Sequence, residues 1–314
     1  MLSQASPSVK IVPGNAHGKL AMEVASELGA QIAAVETSAF ADGEIRVRIT
    51  EDVRGTHAVI LQPTCPPVND NLMVLALLAD AARAAGAARV TAVVPYFGYA
   101  RQDRRDHVGE PRSAQVAGRL LAAVGIEHLI TIDLHSPALE SALPMPATLL
   151  GAEEVFLPRI REWGLRDFVV VSPDAGGLKR AQRYAAALAA PLAVIAKARP
   201  RADATTIVQV LGNVKGRTCL VVDDMASTGR TLTGAAEALR REGAVEVHAV
   251  FTHAVMGPDA AKTLLAAKFG HLMTSNTTPA QSTNGMETIS VAPLLARALR
   301  ELCCGETRQS HSKL

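Results

Sequence analysis

One stretch of the sequence, Thr218 to Gly234, constrains the fold more than any other. It begins with the apolar, partly β-branched run Thr218 to Val222, which predicts a short buried strand. Two carboxylates, Asp223 and Asp224, come next, followed by small and hydroxyl-bearing residues. A helical pattern then runs from Thr231 to Arg241. A buried strand that leads into a helix in this way is typical of open α/β folds, which bind ligands where their parallel strands end.

The residues between this strand and this helix predict an anion site. The backbone N–H groups at the start of a helix, together with the hydroxyls of Ser227, Thr228 and Thr231, can hold a phosphate group. Asp223 and Asp224 would repel a phosphate, so we expect them to contact a different part of the ligand. Hydrogen bonding to the diol of a ribose, directly or through a metal ion, meets that requirement. The pattern therefore favours a site for a sugar phosphate, whereas the plain alternative is that both acids only cap the helix.

The same alternation of strand and helix recurs along the chain. Apolar strand patterns cover residues 57–62, 90–95, 128–132 and 168–171. A length of 314 residues suits two α/β domains of about 150 residues each. We therefore predict the α/β class with two similar doubly wound domains and parallel sheets, the first over residues 1–148 and the second over residues 149–314. A last helix over residues 290–303 can pack back on the first domain.

The composition limits the kinds of partner and the cell compartment that we expect for this chain. The chain is 48% hydrophobic and 20% charged with a formal net charge of +2, which is typical of a globular protein and gives no reason to expect a nucleic-acid partner. No apolar run approaches the roughly 18 to 20 residues of a membrane span. The four cysteines show neither paired spacing nor a histidine at metal-binding distance, so we expect neither a disulfide framework nor a zinc site. The N-terminal residues contain no apolar signal core, and we expect a cytoplasmic protein.

The loop that starts at Asp223 closely resembles the phosphoribosyl pyrophosphate (PRPP) binding loop of two families, the type I phosphoribosyltransferases and the ribose-phosphate diphosphokinases, or PRPP synthetases. The loop alone does not choose between them. Further stretches occur in the order in which the synthetases have them, namely GNAHGKLA (14–21), FADGE (40–44), PVNDNLM (67–73), YARQDRRD (99–106), SPDAGGLKRA (172–181), KARPR (197–201) and SVAPLLARAL (290–299). A single-domain phosphoribosyltransferase would have none of the first four. The chain thus resembles the PRPP synthetases along nearly its whole length.

This resemblance implies a fold and an activity. Both domains would be type I phosphoribosyltransferase-like, the first on the ATP side and the second on the ribose 5-phosphate side. The enzyme would be a ribose-phosphate diphosphokinase, which transfers the β,γ-diphosphoryl group of ATP to the anomeric hydroxyl of ribose 5-phosphate and yields PRPP and AMP. The family uses Mg²⁺ and forms homo-oligomers built from dimers, such as hexamers. The partners are therefore expected to be ATP, ribose 5-phosphate and further copies of the chain, with no nucleic acid and no membrane.

The resemblance also implies roles for individual residues. The ATP site would use Phe40 for stacking, Asp42 and Glu44 for hydrogen bonds, and beside them Gly43, Arg101, Gln102 and Asp106. The ribose 5-phosphate site would use Arg199, Asp223, Asp224, Ser227, Thr228, Gly229, Arg230 and Thr231. For the run from Arg101 to Asp106, the alternative is a solvated surface loop.

The same resemblance assigns catalysis and metal binding to four residues. Lys197 and Arg199 would be catalytic and lie in a basic loop over residues 197–205 that closes over the reacting phosphates. His135 and Asp174 would help to hold the magnesium that the nucleotide carries. The plain alternatives are a solvated turn for the two cations and an ordinary structural histidine for His135.

Three residues depart from the family pattern. The common loop is DDxxDTxGT, but this chain has Ser227 in place of the third acid and Arg230 in place of a glycine, and Ala198 stands where an arginine is frequent. These changes leave a second function open, that of a catalytically silent paralogue which binds and restrains an active synthetase. The retained Lys197 and Arg199 argue against it. In the regulatory turn EDVRG (51–55), a carboxylate replaces a hydroxyl of the common ESVRG, so we expect weak or absent activation by phosphate.

Overall fold

The computed structural model describes residues 7–198, 207–279 and 285–304. The chain divides into two compact units. The residues up to Leu150, together with those from Val291 onward, form the first unit, and Gly151–Ser290 form the second. Each unit is built around one sheet of mainly parallel strands, so the predicted α/β class with two doubly wound domains is confirmed.

The first unit contains a six-stranded sheet that is parallel throughout. Its elements in chain order are β1 (Val9–Pro13), α1 (Gly18–Leu28), β2 (Gln31–Ile32), β3 (Val35–Ala39), β4 (Ile45–Ile49), β5 (His57–Leu61), α2 (Val68–Ala84), β6 (Arg89–Val94), α3 (Ser113–Ala123), β7 (His128–Ile132), a 3₁₀ helix (Pro137–Ala142) and β8 (Ala147–Leu150). The strand order is β2-β1-β5-β6-β7-β8. All five residues of β5 are buried, as an apolar run covered by helices on both faces requires.

Strands β3 and β4 stand apart from this sheet as an antiparallel hairpin. Along β4, Ile45, Val47 and Ile49 are half-buried and pack against the core of the unit, whereas the two intervening arginines are exposed. This alternation matches the period of two that the sequence shows there. The hairpin therefore presents one face to the core and the turn between its strands to the surface.

The second unit contains a seven-stranded sheet with one antiparallel edge. Its elements are α4 (Glu153–Glu162), β9 (Phe168–Ser172), α5 (Leu178–Leu188), β10 (Leu192–Ala198), β11 (Ile207–Leu211), β12 (Thr218–Ala226), α6 (Arg230–Arg241), β13 (Glu246–Ala254), α7 (Pro258–Ala266), β14 (Leu272–Ser275) and β15 (Glu287–Ile289). The strand order is β11-β10-β9-β12-β13-β14-β15, and only β11 runs against its neighbour.

The last helix, α8 (Ala292–Cys304), belongs to the first unit, although it follows the second unit in the chain. It packs against α1, where the Arg300 guanidinium donates to the backbone oxygen of Glu27. Val291, Leu295 and Leu299 are fully buried, so the apolar stripe of this helix is covered. None of the helices that the structure describes combines the length and the apolar character of a membrane span.

Candidate active site

Sheet topology brings two of the sequence motifs together in the second unit. Strand β9 pairs in parallel with β12, with Val171 opposite Val221, so both strands end at the same edge of the sheet. From β9 the chain crosses to β10 on one side, and from β12 it crosses to β13 on the other. The order of the strands therefore reverses between β9 and β12, and such a reversal opens the crevice in which α/β sheets bind ligands. The turn after β9 and the loop after β12 both lie at this crevice.

Asp223 and Asp224 lie within β12, which corrects the predicted end of this strand at Val222. The strand continues to Ala226 because β13 pairs along its whole length, with Met225 opposite His253. Both carboxylates are buried, with 9% and 4% of their surface exposed. The Asp224 N–H donates to Asp223 Oδ1 at 2.9 Å. In this fully described segment, helix α6 begins only at Arg230 and has no side-chain cap, so the alternative that the two acids cap the helix is wrong.

A buried cation faces the acid pair. Arg180, in the first turn of α5, places Nη1 at 3.6 Å from Asp223 Oδ1 and at 3.6 Å from Asp224 Oδ1. Burial is the largest influence on Asp223 and raises the pKa of its carboxyl well above the usual value, and the neighbouring Asp224 raises this pKa further. The positive charge of Arg180 acts in the opposite direction and lowers the pKa of Asp223. The crevice thus contains a compact group of two acids and one guanidinium.

The loop Ser227 to Thr231 connects this pair to α6. Gly229 is buried and has a φ of 75°, in the left-handed region that glycine adopts without strain. A Cβ at Gly229 would lie 3.0 Å from Leu264 Cγ, so the contact with α7 also favours glycine. Thr228 and Arg230 are exposed, and the Arg230 N–H donates to Thr228 Oγ1 at 3.4 Å. The loop therefore carries its hydroxyls and the positive end of α6 beside the two acids, a setting that suits a phosphate.

The predicted catalytic loop is described only at its start. Lys197 and Ala198 continue β10, and Lys197 pairs with Val208 of β11 in the antiparallel ladder. Their prediction as part of a loop is therefore wrong, because pairing with β11 extends the strand. Arg199 and the rest of the stretch up to residue 206 lie outside the described residues. Lys197 is thus placed near the carboxyl end of the strand next to β9.

The candidate ATP residues lie in the first unit. Phe40, Asp42, Gly43 and Glu44 form the turn of the β3–β4 hairpin, and Phe40 is 54% exposed. The turn is ordered by its own hydrogen bonds, because the Phe40 N–H donates to the backbone oxygen of Glu44 at 2.8 Å and the Glu44 N–H donates to Asp42 Oδ1 at 3.1 Å. An exposed aromatic ring on an ordered turn is able to stack on a flat ligand.

The other nucleotide candidates follow β6. Arg101, Gln102 and Asp106 are all exposed in the segment before α3. Gln102 is held at the start of α3, since the Ser113 hydroxyl donates to Gln102 Oε1 at 2.7 Å. Asp106 forms an ion pair with Arg104 at 3.2 Å between Oδ1 and Nε. The segment therefore offers both charge signs at the surface.

The two candidate metal ligands belong to different units. His135 is exposed after β7, two residues beyond the buried Asp133, whose φ of 42° is unusual for a non-glycine residue. Asp174 lies in the turn after β9, and its Oδ1 accepts a hydrogen bond from the Gly177 N–H at 2.9 Å. Among the described side chains, no group of three or more His, Cys, Asp or Glu residues has the arrangement of a metal site.

Sequence reasoning missed Arg180, although it quoted the motif that contains it. A signal for it exists in the pattern of α5. Arg180 stands on the same helix face as Ala181, Tyr184 and Ala185, all of which are buried, whereas Lys179 beside it is exposed. A cation at an inward position of an amphipathic helix needs a buried anionic partner. The acid pair at the end of β12 is that partner.

Comparison with known proteins agrees with this arrangement. Residues 9–125 match the family described as the N-terminal domain of ribose phosphate pyrophosphokinase, and residues 141–265 match the phosphoribosyl transferase domain. The chain is 41% identical to the ribose-phosphate pyrophosphokinase of Caldanaerobacter subterraneus subsp. tengcongensis over 93% of its length and 94% of that protein. It is 38% identical to the ribose-phosphate pyrophosphokinase of Neisseria meningitidis serogroup A, over 94% of its length and 92% of that protein.

A solved structure shows the same likeness. The crystal structure of phosphoribosylpyrophosphate synthetase from Mycobacterium smegmatis superposes with a TM-score of 0.89 at 34% identity. The match covers 95% of this chain and 99% of that one.

Proposed function

Because the chain belongs to the ribose-phosphate pyrophosphokinase family, we propose that it is an active ribose-phosphate diphosphokinase. It transfers the β,γ-diphosphoryl group of ATP to the anomeric hydroxyl of ribose 5-phosphate and forms PRPP and AMP. The observation that carries this proposal is the buried acid pair with the phosphate-type loop at the end of β12, in a chain that matches pyrophosphokinases over more than nine tenths of its length.

The second unit binds the sugar. Asp223 and Asp224 accept hydrogen bonds from the ribose hydroxyls, because acidic side chains at this crevice suit a diol and not a phosphate. The loop Ser227 to Thr231 holds the 5-phosphate with its N–H groups, its hydroxyls and the positive end of α6. Arg230 adds a cation at the first position of that helix. Arg199 completes the binding of ribose 5-phosphate in this proposal.

The first unit binds the nucleotide. Phe40 stacks on the adenine from its ordered turn, and Asp42 and Glu44 hydrogen bond to the base, with Gly43 between them. Arg101, Gln102 and Asp106 bind beside the nucleotide, where the planar guanidinium of Arg101 suits a phosphate or a base face. These assignments agree with the exposure of the residues.

The transfer itself requires positioning and positive charge. The anomeric oxygen attacks the β-phosphorus in line, the bond from that phosphorus to the bridging oxygen breaks, and AMP leaves with the bridging oxygen. The hydroxyl proton is released to solvent. Lys197 and Arg199 place positive charge where negative charge builds up on the phosphoryl oxygens. Exclusion of water from the site prevents hydrolysis of ATP in place of transfer to the sugar.

We also propose that the enzyme uses Mg²⁺. Asp174 fits this ion because a carboxylate oriented by the Gly177 N–H offers the hard oxygen ligand that Mg²⁺ prefers. Mg²⁺ needs few protein ligands, since it keeps waters and phosphate oxygens, so the absence of a larger acidic cluster among the described residues agrees with this role. His135 is the second proposed contact. When bound, the ion neutralises charge on the nucleotide phosphates.

Assembly and compartment are proposed on the same family grounds. We propose a homo-oligomer built from dimers, with a hexamer as one form. Cys65 and Cys219 are buried free thiols, which agrees with a cytoplasmic location. No nucleic acid or membrane takes part in the proposed reaction.

Weak or absent activation by phosphate remains a proposal, supported by the turn at residues 51–55. Asp52 Oδ1 accepts a hydrogen bond from the Arg54 N–H at 2.9 Å. Lys10 Nζ donates to the backbone oxygen of Asp52 at 3.0 Å and to Glu51 Oε2 at 3.3 Å. A fixed carboxylate at this turn repels an anion, where a hydroxyl would donate to it. A clear rise in rate on addition of inorganic phosphate, with magnesium saturating, would contradict this proposal.

Phosphorus NMR tests the function directly. Purified protein receives magnesium-ATP and ribose 5-phosphate, and the signals of AMP and of the anomeric diphosphate are followed together. Equal amounts of both products are expected. Intact ATP, with both ligands still bound, would instead support the silent paralogue, an alternative that the relatives named above do not favour.

A further inference from the structure

The buried guanidinium of Arg180 contacts both acids of the proposed sugar site. Its exposed fraction is 9%, and Nη1 lies at 3.6 Å from Oδ1 of Asp223 and of Asp224. Both separations are ion-pair distances that exceed a direct hydrogen bond. One cation on helix α5 thus neutralises part of the charge of two carboxylates on strand β12.

Residues close to Arg180 in the sequence fix the position of its side chain. Ser172 ends β9, and its hydroxyl donates to the backbone oxygen of Asp174 at 2.7 Å, which closes the turn before α5. Gly177 then starts the helix at a crowded point. A Cβ there would lie 2.9 Å from Ser172 Oγ and 3.6 Å from Arg180 Nη1. The glycine is therefore required by the Ser172 hydroxyl, whereas its separation from the guanidinium is an ordinary contact.

Two carboxylates this deeply buried would not both stay charged without a nearby cation. Burial and the Asp224 charge raise the pKa of Asp223, and Arg180 opposes them. A protonated carboxyl donates a hydrogen bond through its O–H, whereas a carboxylate only accepts. Without the cation, the two carboxyl groups would therefore hold one proton between them. The partly protonated pair would no longer act only as an acceptor for hydroxyl groups.

We propose that Arg180 is a positioning residue of the sugar site, which keeps Asp223 and Asp224 as an oriented anionic pair that accepts the ribose hydroxyls. The inference rests on the proposed function, because it takes the pair to be the ribose contact. Arg180 itself acts through the two carboxylates. An arginine is suited to this task because its guanidinium stays charged when buried and its planar fork spans two acceptors.

A double-mutant cycle tests the proposal. Arg180→Gln should raise KM for ribose 5-phosphate about tenfold or more, the size of a lost charge-assisted contact, while KM for ATP changes less than about twofold. Arg180→Lys, which retains the charge, should recover part of that loss. In the Asp223→Asn background, Arg180→Gln should add only a small further change, because the two residues act as one unit. Calorimetric titration with ribose 5-phosphate should show the same pattern in its dissociation constant.

Equal effects of Arg180→Gln in the two backgrounds would overturn the proposal, as would an unchanged KM for the sugar. If Arg180→Gln does not fold, Arg180→Lys in both backgrounds carries the same comparison, with circular dichroism as the check on folding. Failure of the proposed function is recognised separately, since the wild-type protein would then form no AMP and PRPP in the NMR assay. The calorimetric cycle still tests Arg180 in that event, because it needs binding and no turnover.

Discussion

In the first sheet the strand order reverses between β1 and β5, and in the second it reverses between β9 and β12. The loops that follow these four strands therefore occupy equivalent positions, at the edge where α/β sheets bind ligands. In the second unit this position contains Asp223, Asp224 and Arg180, which are charged and buried. In the first unit the same position contains neutral amides that bind one another.

The neutral network of the first unit centres on Gln62, which is fully buried. Its Oε1 accepts a hydrogen bond from the Ala16 N–H at 3.0 Å, and its Nε2 donates to Asn15 Oδ1 at 2.9 Å and to Asn71 Oδ1 at 3.1 Å. A Cβ at Gly14 would lie 2.0 Å from Gln62 Oε1, so the amide fills the space beside the backbone. The Gln62 side chain therefore occupies part of this crevice.

The difference shows how one topology serves two purposes. A satisfied network of neutral groups strengthens the fold and offers little to a ligand. A buried pair of like charges weakens the fold and offers acceptors to a ligand or a cation. The fold supplies the crevice in both units, and the side chains decide whether it binds a substrate.

The contrast extends to the neighbouring strands β2 and β10. Strand β2 has two residues, whereas β10 has seven and leads to Lys197 near its end. Lys197→Ala should lower kcat by about a hundredfold or more, the typical loss for one charge-stabilising group in a transition state, and leave thermal unfolding unchanged. Initial rates of AMP formation measure the effect.

Lys215→Ala is the matched control, because it removes the same charge from an exposed position at the opposite edge of the same sheet. Its turnover should stay close to that of the wild type. Near-normal turnover of Lys197→Ala would show that Lys197 has no catalytic role.

Gln62→Ala should disrupt the neutral hydrogen-bond network of the first unit. The variant leaves the Ala16 N–H and the amides of Asn15 and Asn71 without their common partner, which should destabilise the first unit by about 2 to 3 kcal/mol. Hydrogen exchange of the segment around Ala16, together with urea denaturation, measures the loss. Gln31→Ala removes the same group from an exposed position of β2 and should have little effect. Unchanged exchange at Ala16 would mean that the network contributes no stability.

Much of this contrast is visible in the sequence, but two parts are not. Strand-to-helix patterns predicted both sheets, and the residues after β12 predicted the sugar phosphate loop. The extension of β12 through Asp223 and Asp224 was missed, because acidic residues disfavour strands by local preference. Pairing with β13 overrides that preference, and such pairing is set by residues distant in the chain.

The contact of Arg180 is a second case of this kind. Local reasoning assigned the motif around it to Asp174 alone. The position of Arg180 on the buried face of α5 indicates that the side chain points inward, but only the order of the strands identifies which acids it meets. Residues 199–206 lie outside the described part of the chain, so the role of Arg199 stays a prediction.

Asp223→Asn should make the protein more stable while it weakens ribose 5-phosphate binding. The raised pKa of Asp223 means that the native state binds more protons than the unfolded state between the usual value of 3.8 and the higher native value. Stability therefore falls as pH rises through that interval and stays low above it. The neutral amide removes this penalty, so the free energy of unfolding at neutral pH should rise by about 1 kcal/mol or more, with a midpoint about 2 to 4 °C higher.

The pH dependence of stability tests whether Asp223→Asn stabilises the protein for this reason. The gain from Asp223→Asn should shrink as pH falls towards 3.8, where the wild-type carboxyl is also neutral. Asp80→Asn removes the same charge from an exposed position of α2 and should change stability little at any pH. Loss of stability in Asp223→Asn at neutral pH would mean that the acid pair supports the fold as well as the site.

The smallest effect is expected at the helices that start beside the two crevices. Helix α2, which follows β5, has the acid Asp70 in its first turn, whereas α6, which follows β12, begins with Arg230 and has no acid there. Arg230→Gln should raise KM for ribose 5-phosphate about two- to fivefold, since an exposed cation at a helix start contributes less than about 1 kcal/mol. The difference should shrink at high salt, because solvent-exposed charges are screened.

Arg241→Gln makes the same change at the other end of α6 and should leave KM unaltered. An unchanged or lower KM in Arg230→Gln would show that this side chain points away from the phosphate, and the first turn of α6 would then bind the anion through its backbone and hydroxyls alone.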